Sequence, residues 1–133
     1  MDFLYAPDLP FKKDDYYGKF DFIVSFSSIE HSGLGRYGDP IDPIGDIREM
    51  NKIHCMLKPR GLLFLGFAVG VDKVTFNAHR IYGRIRLAMM FEGFKLLKIF
   101  RLGSTVSEQH MLKVLSDEKY ENQYLFVLEK KDD

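Results

Sequence analysis

The chain has 133 residues, of which 46% are hydrophobic, so it can bury one modest core and leaves no room for a second domain. Nineteen basic residues balance nineteen acidic ones and no segment concentrates Lys and Arg, which argues against nucleic acid and anionic membrane surfaces as partners. The longest apolar run, from Gly61 to Val71, has about half the length of a membrane-spanning helix. We therefore expect a single cytoplasmic domain with no membrane segment in this chain, although a longer parent protein could carry an anchor upstream.

The single cysteine, Cys55, cannot form an internal disulfide, and its apolar surroundings in the sequence predict a small buried side chain. A reducing compartment fits this cysteine usage. The amino terminus carries Asp2, Asp8 and Pro10 where a signal peptide has cations, so no targeting segment is predicted.

The first predicted strand runs from Asp21 to Phe26, after a lead-in over residues 1–20. Its sequence, DFIVSF, is rich in aromatic and β-branched residues, which predicts a strand buried on both faces. Ser32 to Gly45 follow as a shaped loop, because four glycines and two prolines in fourteen residues suit neither a helix nor a central strand.

A helix is predicted to begin at Asp46, with Glu49 at the spacing of a capping box, and to end before Pro59 and Gly61. Its apolar stripe consists of Ile47, Met50, Ile53, His54 and Leu57. Gly61 to Gly70 have no polar alternation, which is typical of a parallel strand covered by helices on both sides. A strand, a helix and a second strand in this order form a right-handed crossover, so the two strands should lie parallel in one sheet.

A second crossover helix is predicted from Ile81 to Phe91, and Gly93 is placed to end it. Its predicted core residues are Ile81, Ile85, Ala88 and Met89. The remaining predicted elements are a strand from Phe94 to Leu102, a short helix from Ser107 to Leu115, a strand from Asn122 to Glu129 and a charged tail from Glu129 to Asp133. The fold class is thus α/β, with a mostly parallel sheet, crossover helices and an antiparallel last pair of strands.

Candidate functional residues follow the two predicted parallel strands, because ligands of open α/β sheets bind beyond the carboxyl ends of the strands. The first such segment, from Ser27 to Pro40, contains Ser27, Glu30, His31, Arg36, Tyr37 and Asp39. The second, from Gly70 to Tyr82, contains Asp72, Asn77, His79 and Arg80. Both segments should open on the same rim of the sheet.

Glu30 and His31 can form a general base pair, since a carboxylate orients an imidazole and raises its basicity. The structural alternative is that His31 fixes its loop by bonding to a backbone carbonyl, and this alternative is the commoner arrangement. His79 and Arg80 allow the same two interpretations, as contacts to an anion or substrate or as structural residues.

The glycines between Gly33 and Gly38 match neither the dinucleotide fingerprint nor the P-loop, so a turn-rich substrate loop is the better prediction. A zinc site can be drawn from Glu30, His31 and His79, but these residues lack the close spacing of known zinc motifs. We therefore predict no metal.

The stretch LPFKKDDYYGKFDFIVSFSSIEH resembles class I S-adenosylmethionine-dependent methyltransferases, in which an LPF motif, an acidic spacer, a strand and Glu-His occur in this order. Leu57-Lys58-Pro59-Arg60-Gly61 is similar to the Leu-Lys-Pro-Gly-Gly turn of that family, with Arg60 in place of one glycine. More closely, SSIEHSGLGRYGDPIDPIGD and NAHRIYGRIRL resemble the methyltransferase-like "domain of unknown function 268" family, which is expanded in nematodes. This resemblance covers roughly Leu9 to Leu102.

The resemblance implies the carboxy-terminal part of a Rossmann-like class I fold, with S-adenosylmethionine as cofactor. It implies cofactor contacts from Ala6 and Ser27, and an active rim formed by Ser27 to Asp39 and Asn77 to Arg80. The glycine-rich turn and the ribose-binding acid of the family would lie before Met1. Tyr5 aligns with the acidic residue that, in the family, accepts a hydrogen bond from the adenine amino group.

We therefore expect a domain that is incomplete or inactive as given, acting on an unknown small-molecule or protein acceptor. The alternative is a non-enzymatic interaction module that uses an exposed sheet edge. A homo-oligomer or a partner protein could occupy such an edge.

Overall fold

A computed structural model describes residues 2–131, so Met1 and residues 132–133, the end of the predicted charged tail, lie outside the described part. The elements, in chain order, are a 3-10 segment Ala6–Lys12, α1 (Lys13–Tyr16), β1 (Phe20–Phe26), a 3-10 turn Ile29–His31, α2 (Gly45–Met56), β2 (Leu57–Val69), β3 (Lys73–Thr75), β4 (His79–Ile81), α3 (Arg84–Met90), β5 (Phe94–Arg101), β6 (Ser104–Thr105), α4 (Glu108–Val114), a 3-10 turn Glu118–Tyr120 and β7 (Asn122–Lys130). Between residues 2 and 131 no helix has the length and apolar character needed to cross a membrane.

The main sheet has the strand order β1-β2-β7-β5-β6, and β3 pairs with β4 in a separate hairpin. β1 and β2 are parallel neighbours, with Phe22 opposite Leu62 and Phe26 opposite Gly66. β7 is antiparallel to both β2 and β5, so β1, β2 and β5 point the same way. The α/β fold class, the parallel first pair and the antiparallel last pair that the sequence predicts are all confirmed.

The core lies between one face of this sheet and the helices. β2 contributes every second side chain to it, because successive strand residues point to opposite faces, and Leu63, Leu65 and Phe67 are fully buried. Met50 and Ile53 of α2 pack into the same cluster. Each such side chain stabilises the fold by about 1.5–3 kcal/mol through removal of its apolar surface from water.

β1 departs from the prediction of a strand buried on both faces. It pairs with β2 alone among the described strands, and Phe22 and Phe26 remain 60% and 59% exposed. Only Ile23 of this strand packs against the core cluster. Alternation along the strand puts Phe22, Val24 and Phe26 together on one apolar face, but the sequence cannot show whether the chain supplies a cover for that face.

α3 begins three residues later than predicted, because Ile81 belongs to β4. The face of α3 is also corrected. Leu87 and Met90 are buried, whereas Ile85 is 71% and Met89 41% exposed. Gly93 has a φ of 84°, a left-handed conformation that glycine adopts without strain, and it ends the helix as predicted.

Two predictions for α2 and one for the tail are also corrected. Asp46 does not cap the helix, because α2 begins at Gly45 and the capping position is held by Ile44 without a side-chain bond. Cys55 is exposed on the outer side of α2 rather than buried. Glu129 belongs to β7, which continues to Lys130, so the charged tail is shorter than predicted.

Candidate functional site

An open cleft of about 690 Å³ lies beyond the carboxyl end of β1. Its walls come from the segment before β1, the loop after β1, the glycine-rich loop and the first turns of α2. Five of the predicted site residues line this cleft: Ala6, Ser27, His31, Tyr37 and Asp39. The structure thus brings together residues from three separate segments of the sequence, at the rim where an α/β sheet binds its ligands.

His31 is held in place by a backbone carbonyl in the turn between β3 and β4. Its Nδ1 lies 2.6 Å from the carbonyl oxygen of Ala78, so Nδ1 carries the hydrogen and Nε2 keeps its lone pair in the neutral ring. The rings of Tyr37 and His79 approach the imidazole edge-on at 5.8 and 6.3 Å. The structural role foreseen for His31 is therefore present, and it leaves Nε2 available for proton transfer.

Glu30 lies beneath His31 rather than in the cleft wall. Its carboxylate oxygen Oε1 is 3.8 Å from Nε2 of His31, which is too far for a direct hydrogen bond but close enough for electrostatic attraction to a protonated ring. Glu30 is 4% exposed, and within residues 2–131 its Oε2 makes no hydrogen bond. A buried carboxylate oxygen without a donor is uncommon and is a reason to look for function nearby.

The glycine-rich loop is organised around the carboxylate of Asp39. This carboxylate accepts hydrogen bonds from the backbone amides of Gly33, at 2.7 Å, and Tyr37, at 3.4 Å. The bond from Gly33 is the largest of the causes that hold the pKa of Asp39 below its usual value. The hydrogen bonds of the Asp39 carboxylate therefore stabilise the conformation of its own loop.

Asp42 closes the same loop against the start of α2. It accepts a hydrogen bond from the amide of Ile44, which lowers its pKa, and it pairs with Arg48 at 2.6 Å. One turn further along α2, Lys52 pairs with Glu49 at 2.8 Å. The cations in this wall of the cleft thus have carboxylate partners, and the wall shows no excess charge that would select a phosphate.

The other predicted substrate residues lie outside the cleft lining. The guanidinium of Arg36 sits over the ring of Tyr37 at 5.7 Å from its centre, at the exposed mouth of the loop. Asn77 lies in the turn between β3 and β4 with a φ of 55°, a left-handed conformation that asparagine tolerates well. His79 reaches the site through its ring contact with His31.

Arg80 is not a surface contact for a substrate, which corrects the prediction. Its side chain is 2% exposed and donates hydrogen bonds to the carbonyl oxygens of Ser32, at 2.5 Å, and Asp42, at 3.2 Å. Both acceptors belong to the glycine-rich loop, which has no regular structure to satisfy them. Arg80 therefore holds this loop against β4.

A buried network that has no signature in the sequence anchors Arg80. Asp46 is 0% exposed and accepts hydrogen bonds from Arg86 at 2.6 and 3.0 Å and from the hydroxyl of Tyr82 at 2.9 Å, while Nε of Arg80 lies 3.6 Å away. Burial and the neighbouring carboxylate raise the pKa of Tyr82, and Asp46 raises the pKa of Arg86. The partners lie 36 and 40 residues from Asp46 in the sequence, so no local pattern could have revealed them.

The described residues contain no group of three or more His, Cys, Asp or Glu side chains placed to hold a metal ion.

The cleft fits S-adenosylmethionine only in part. The carboxylates of Asp39 and Asp42 accept hydrogen bonds from backbone amides of their own loop, so part of their acceptor capacity is already used. The loop from Gly33 to Gly38 does not lead directly into a helix, and so cannot present amides to an anion at a helix start.

The solved structures that share this fold include the two that follow. The [4+2]-cyclase SpnF has a TM-score of 0.56 at 15% identity, over 98% of this chain and 56% of that chain. A putative sarcosine dimethylglycine methyltransferase from Galdieria sulphuraria has a TM-score of 0.53 at 14% identity, over 98% of this chain and 59% of that chain. The chain thus spans little more than half the length of these structures, and at such identities the likeness shows the fold alone.

The strand order, the parallel first pair and these neighbours define a methyltransferase-like α/β fold, as the sequence predicts. Residues 2–131 match the family described as "Caenorhabditis protein of unknown function, DUF268". The chain belongs to this family, which confirms the closer resemblance seen in the sequence. No curated protein matches the chain.

Proposed function

We propose that the cleft beyond β1 is the acceptor side of a methyltransferase-type site, and that this chain alone does not transfer methyl groups. The observation that supports the proposal is the convergence of Ala6, Ser27, His31, Tyr37 and Asp39 on one cleft at the carboxyl end of a parallel strand. The proposed cofactor is S-adenosylmethionine, which would supply the methyl group when bound. Its binding by this chain alone should be weak, because the glycines from Gly33 to Gly38 do not lead directly into a helix start, where backbone amides could hold an anionic group of the cofactor.

In this proposal His31 and Glu30 act as the catalytic pair. A hydroxyl, thiol or ammonium acceptor must lose a proton when it is methylated, and His31, which lines the cleft and has Nδ1 bonded to Ala78, is proposed to take this proton on Nε2. The bond from Nδ1 to Ala78 fixes the ring, and the negative charge of Glu30, 3.8 Å from Nε2, stabilises the imidazolium that forms. Tyr37 and Asp39 shape the acceptor end of the cleft, with Arg36, Asn77 and His79 at its outer margin.

The test uses the four histidines of the chain as reporters. The chain, labelled with ¹⁵N in its histidine rings, is titrated with S-adenosylhomocysteine to millimolar concentration and followed by NMR. We expect shifts at His31 and His79, whereas His54 and His110, which bond to Gly93 and Tyr124 away from the cleft, should stay unchanged. Equal shifts at all four rings, or none at His31, would reject the site.

Calorimetric titration with S-adenosylmethionine tests the other half of the proposal. No heat of binding is expected in the micromolar range. Micromolar affinity measured with this chain would show that the cleft holds the cofactor without glycines at a helix start, and the proposed weak binding would then be wrong.

A second candidate function is a non-enzymatic interaction module that uses the edge of the sheet. The observation that favours it is the position of β1, whose outer edge has no neighbouring strand among residues 2–131. Exposed edges pair with strands of other chains through backbone hydrogen bonds. Such a partner would slow hydrogen exchange at the outward-pointing amides of β1, whereas exchange rates that do not change with any added partner or with protein concentration would argue against this module.

A further inference from the structure

The sheet has a second face that α2, α3 and α4 leave uncovered, and α1 contacts it only at the start of β1, where Tyr16 stacks on Phe20 with 6.1 Å between the ring centres. The register between β1 and β2 places Phe22, Val24 and Phe26 opposite Leu62, Phe64 and Gly66, and these side chains point away from the core residues Leu63, Leu65 and Phe67. The helices α2, α3 and α4 all contribute their buried residues to the core on the other side. We call this second surface the open face, defined by Phe22, Val24, Phe26, Phe64 and Leu125.

The open face is apolar and continuous. Phe22, Val24 and Phe26 are 60%, 63% and 59% exposed. An aromatic side chain offers about 150–250 Å² of surface, so Phe22 and Phe26 at these exposures leave roughly 240 Å² of apolar area in contact with water, to which Val24 adds. The partly exposed Phe64 and Leu125 extend this strip across β2 and β7. The whole face therefore lies within the range of the largest apolar patch of a typical monomer, which is about 300–600 Å².

The aromatic rings of the open face pack against one another and against the strands. The ring of Phe26 lies across Gly66, where an added Cβ atom would overlap with the ring. The ring of Phe22 meets that of Phe64 edge to face, with 6.2 Å between their centres. The aromatic rings thus fill the grooves between strands, and none of the three rings fills a pocket of the core.

We infer that a second copy of this chain covers the open face, so that two sheets stack face to face around a two-fold axis. Sheets stack in this way at about 10 Å separation, and a two-fold axis makes one patch its own partner. Specific interfaces bury about 800 Å² on each partner, of which an apolar strip of roughly 300–600 Å² can form the centre. The inference does not depend on the function proposed for the cleft.

Charge also favours a second copy as the occupant. The formal net charge of the chain is zero, so two copies do not repel each other at neutral pH. The margin of the open face carries both signs, with Lys95 directly opposite Glu129 on neighbouring strands and Lys98 two pairs further along. A two-fold axis can bring the cations of one copy to the anion of the other, whereas a strongly basic or acidic partner would find no matching field on this surface.

The oligomeric state of three proteins tests the inference, measured by sedimentation equilibrium between 1 and 100 µM. The wild-type chain should have the mass of a dimer. Val24→Lys should weaken association at least about 100-fold, because each interface would then bury two like charges. Val74→Lys is the matched control, since Val74 is also a strand valine, is 59% exposed and lies on β3 away from the open face, and this variant should remain dimeric.

Far-UV circular dichroism checks that each variant is folded. If Val24→Lys does not fold, the milder Phe22→Gln decides the question, with Phe76→Gln as its control because Phe76 is 84% exposed in the turn between β3 and β4. A monomeric wild-type chain at 100 µM would overturn the inference. So would equal weakening by the variant and its control, or growth into aggregates without a defined dimer.

Discussion

Replacement of Asp46 by asparagine should destabilise this protein more than any change of one surface charge. Asp46 is 0% exposed, and its carboxylate accepts three hydrogen bonds from Arg86 and Tyr82. Asparagine keeps the shape of the side chain but removes the negative charge and turns one acceptor into a donor that faces a guanidinium. The buried Arg80, 3.6 Å from the carboxylate, would then lose its nearest anion.

The expected cost is about 3–5 kcal/mol, the range for breaking a buried ion pair from one side, because an uncompensated charge remains inside. This is a large part of the roughly 5–15 kcal/mol that stabilises a domain. At about 4 °C per kcal/mol for a chain of this size, the melting temperature should fall by about 12–20 °C. The change should also release the glycine-rich loop, since Arg80 holds the carbonyl oxygens of Ser32 and Asp42.

Urea unfolding followed by far-UV circular dichroism measures the effect, because the chain has no Trp to serve as a fluorescent probe. Asp21→Asn is the control, since Asp21 pairs with Lys58 at 3.0 Å while 80% exposed, and its loss should cost no more than about 1 kcal/mol. If both variants lost the same free energy of unfolding, the buried network would not be what holds the loop, and Arg80 would not depend on Asp46 for its position.

Three further predictions concern the same region. Tyr82→Phe should cost about 1.5–3 kcal/mol in urea unfolding, because a hydroxyl that donates to a buried carboxylate is lost; an unchanged midpoint would contradict this bond. Gly33→Ala should lower the melting temperature more than Gly38→Ala, because both glycines have a φ near 80° but only at position 33 would a Cβ overlap with the carbonyl of Asp42; equal effects would rule out this clash. Asp39 has a lowered pKa in the folded protein, so its contribution is complete above the usual value of 3.8 and is lost as the pH falls through the lower, folded value. An NMR titration of the Gly33 amide should therefore show its inflection below pH 3.8, and an inflection at or above that value would refute the assignment.

The sheet could be predicted because its signals are local. The run Gly61 to Gly70 has no polar alternation, and this property alone indicates a strand with two apolar faces. The hairpin of β3 and β4 was missed because strands of three residues carry too little periodicity to be seen. The predicted start of α3 is wrong for the same reason. The apolar stripe of this helix was counted from Ile81, which belongs to β4, and Ile85, four residues later, was placed in the core with it.

The site could be predicted only as far as chain order determines it. Residues that directly follow a parallel strand must lie at the rim, which is why Ser27 and His31 were found. Arg80 is predicted at the same rim, but its buried side chain lies 3.6 Å from Asp46, which belongs to the distant helix α2. A buried ion pair depends on the final packing of distant segments, and its members look like ordinary surface residues in the sequence.

The structural and the catalytic interpretations of His31 are compatible, although the sequence presented them as alternatives. A general base must be held in one tautomer and one orientation, and the bond from Nδ1 to the carbonyl of Ala78 provides both. The unbonded Oε2 of Glu30 adds a separate argument, because a fold selected only for stability gains nothing from a buried carboxylate oxygen without a donor. Since a cyclase and a putative methyltransferase both have this fold, the fold alone does not select a reaction, and the function must be sought in His31, Glu30 and the loop around them.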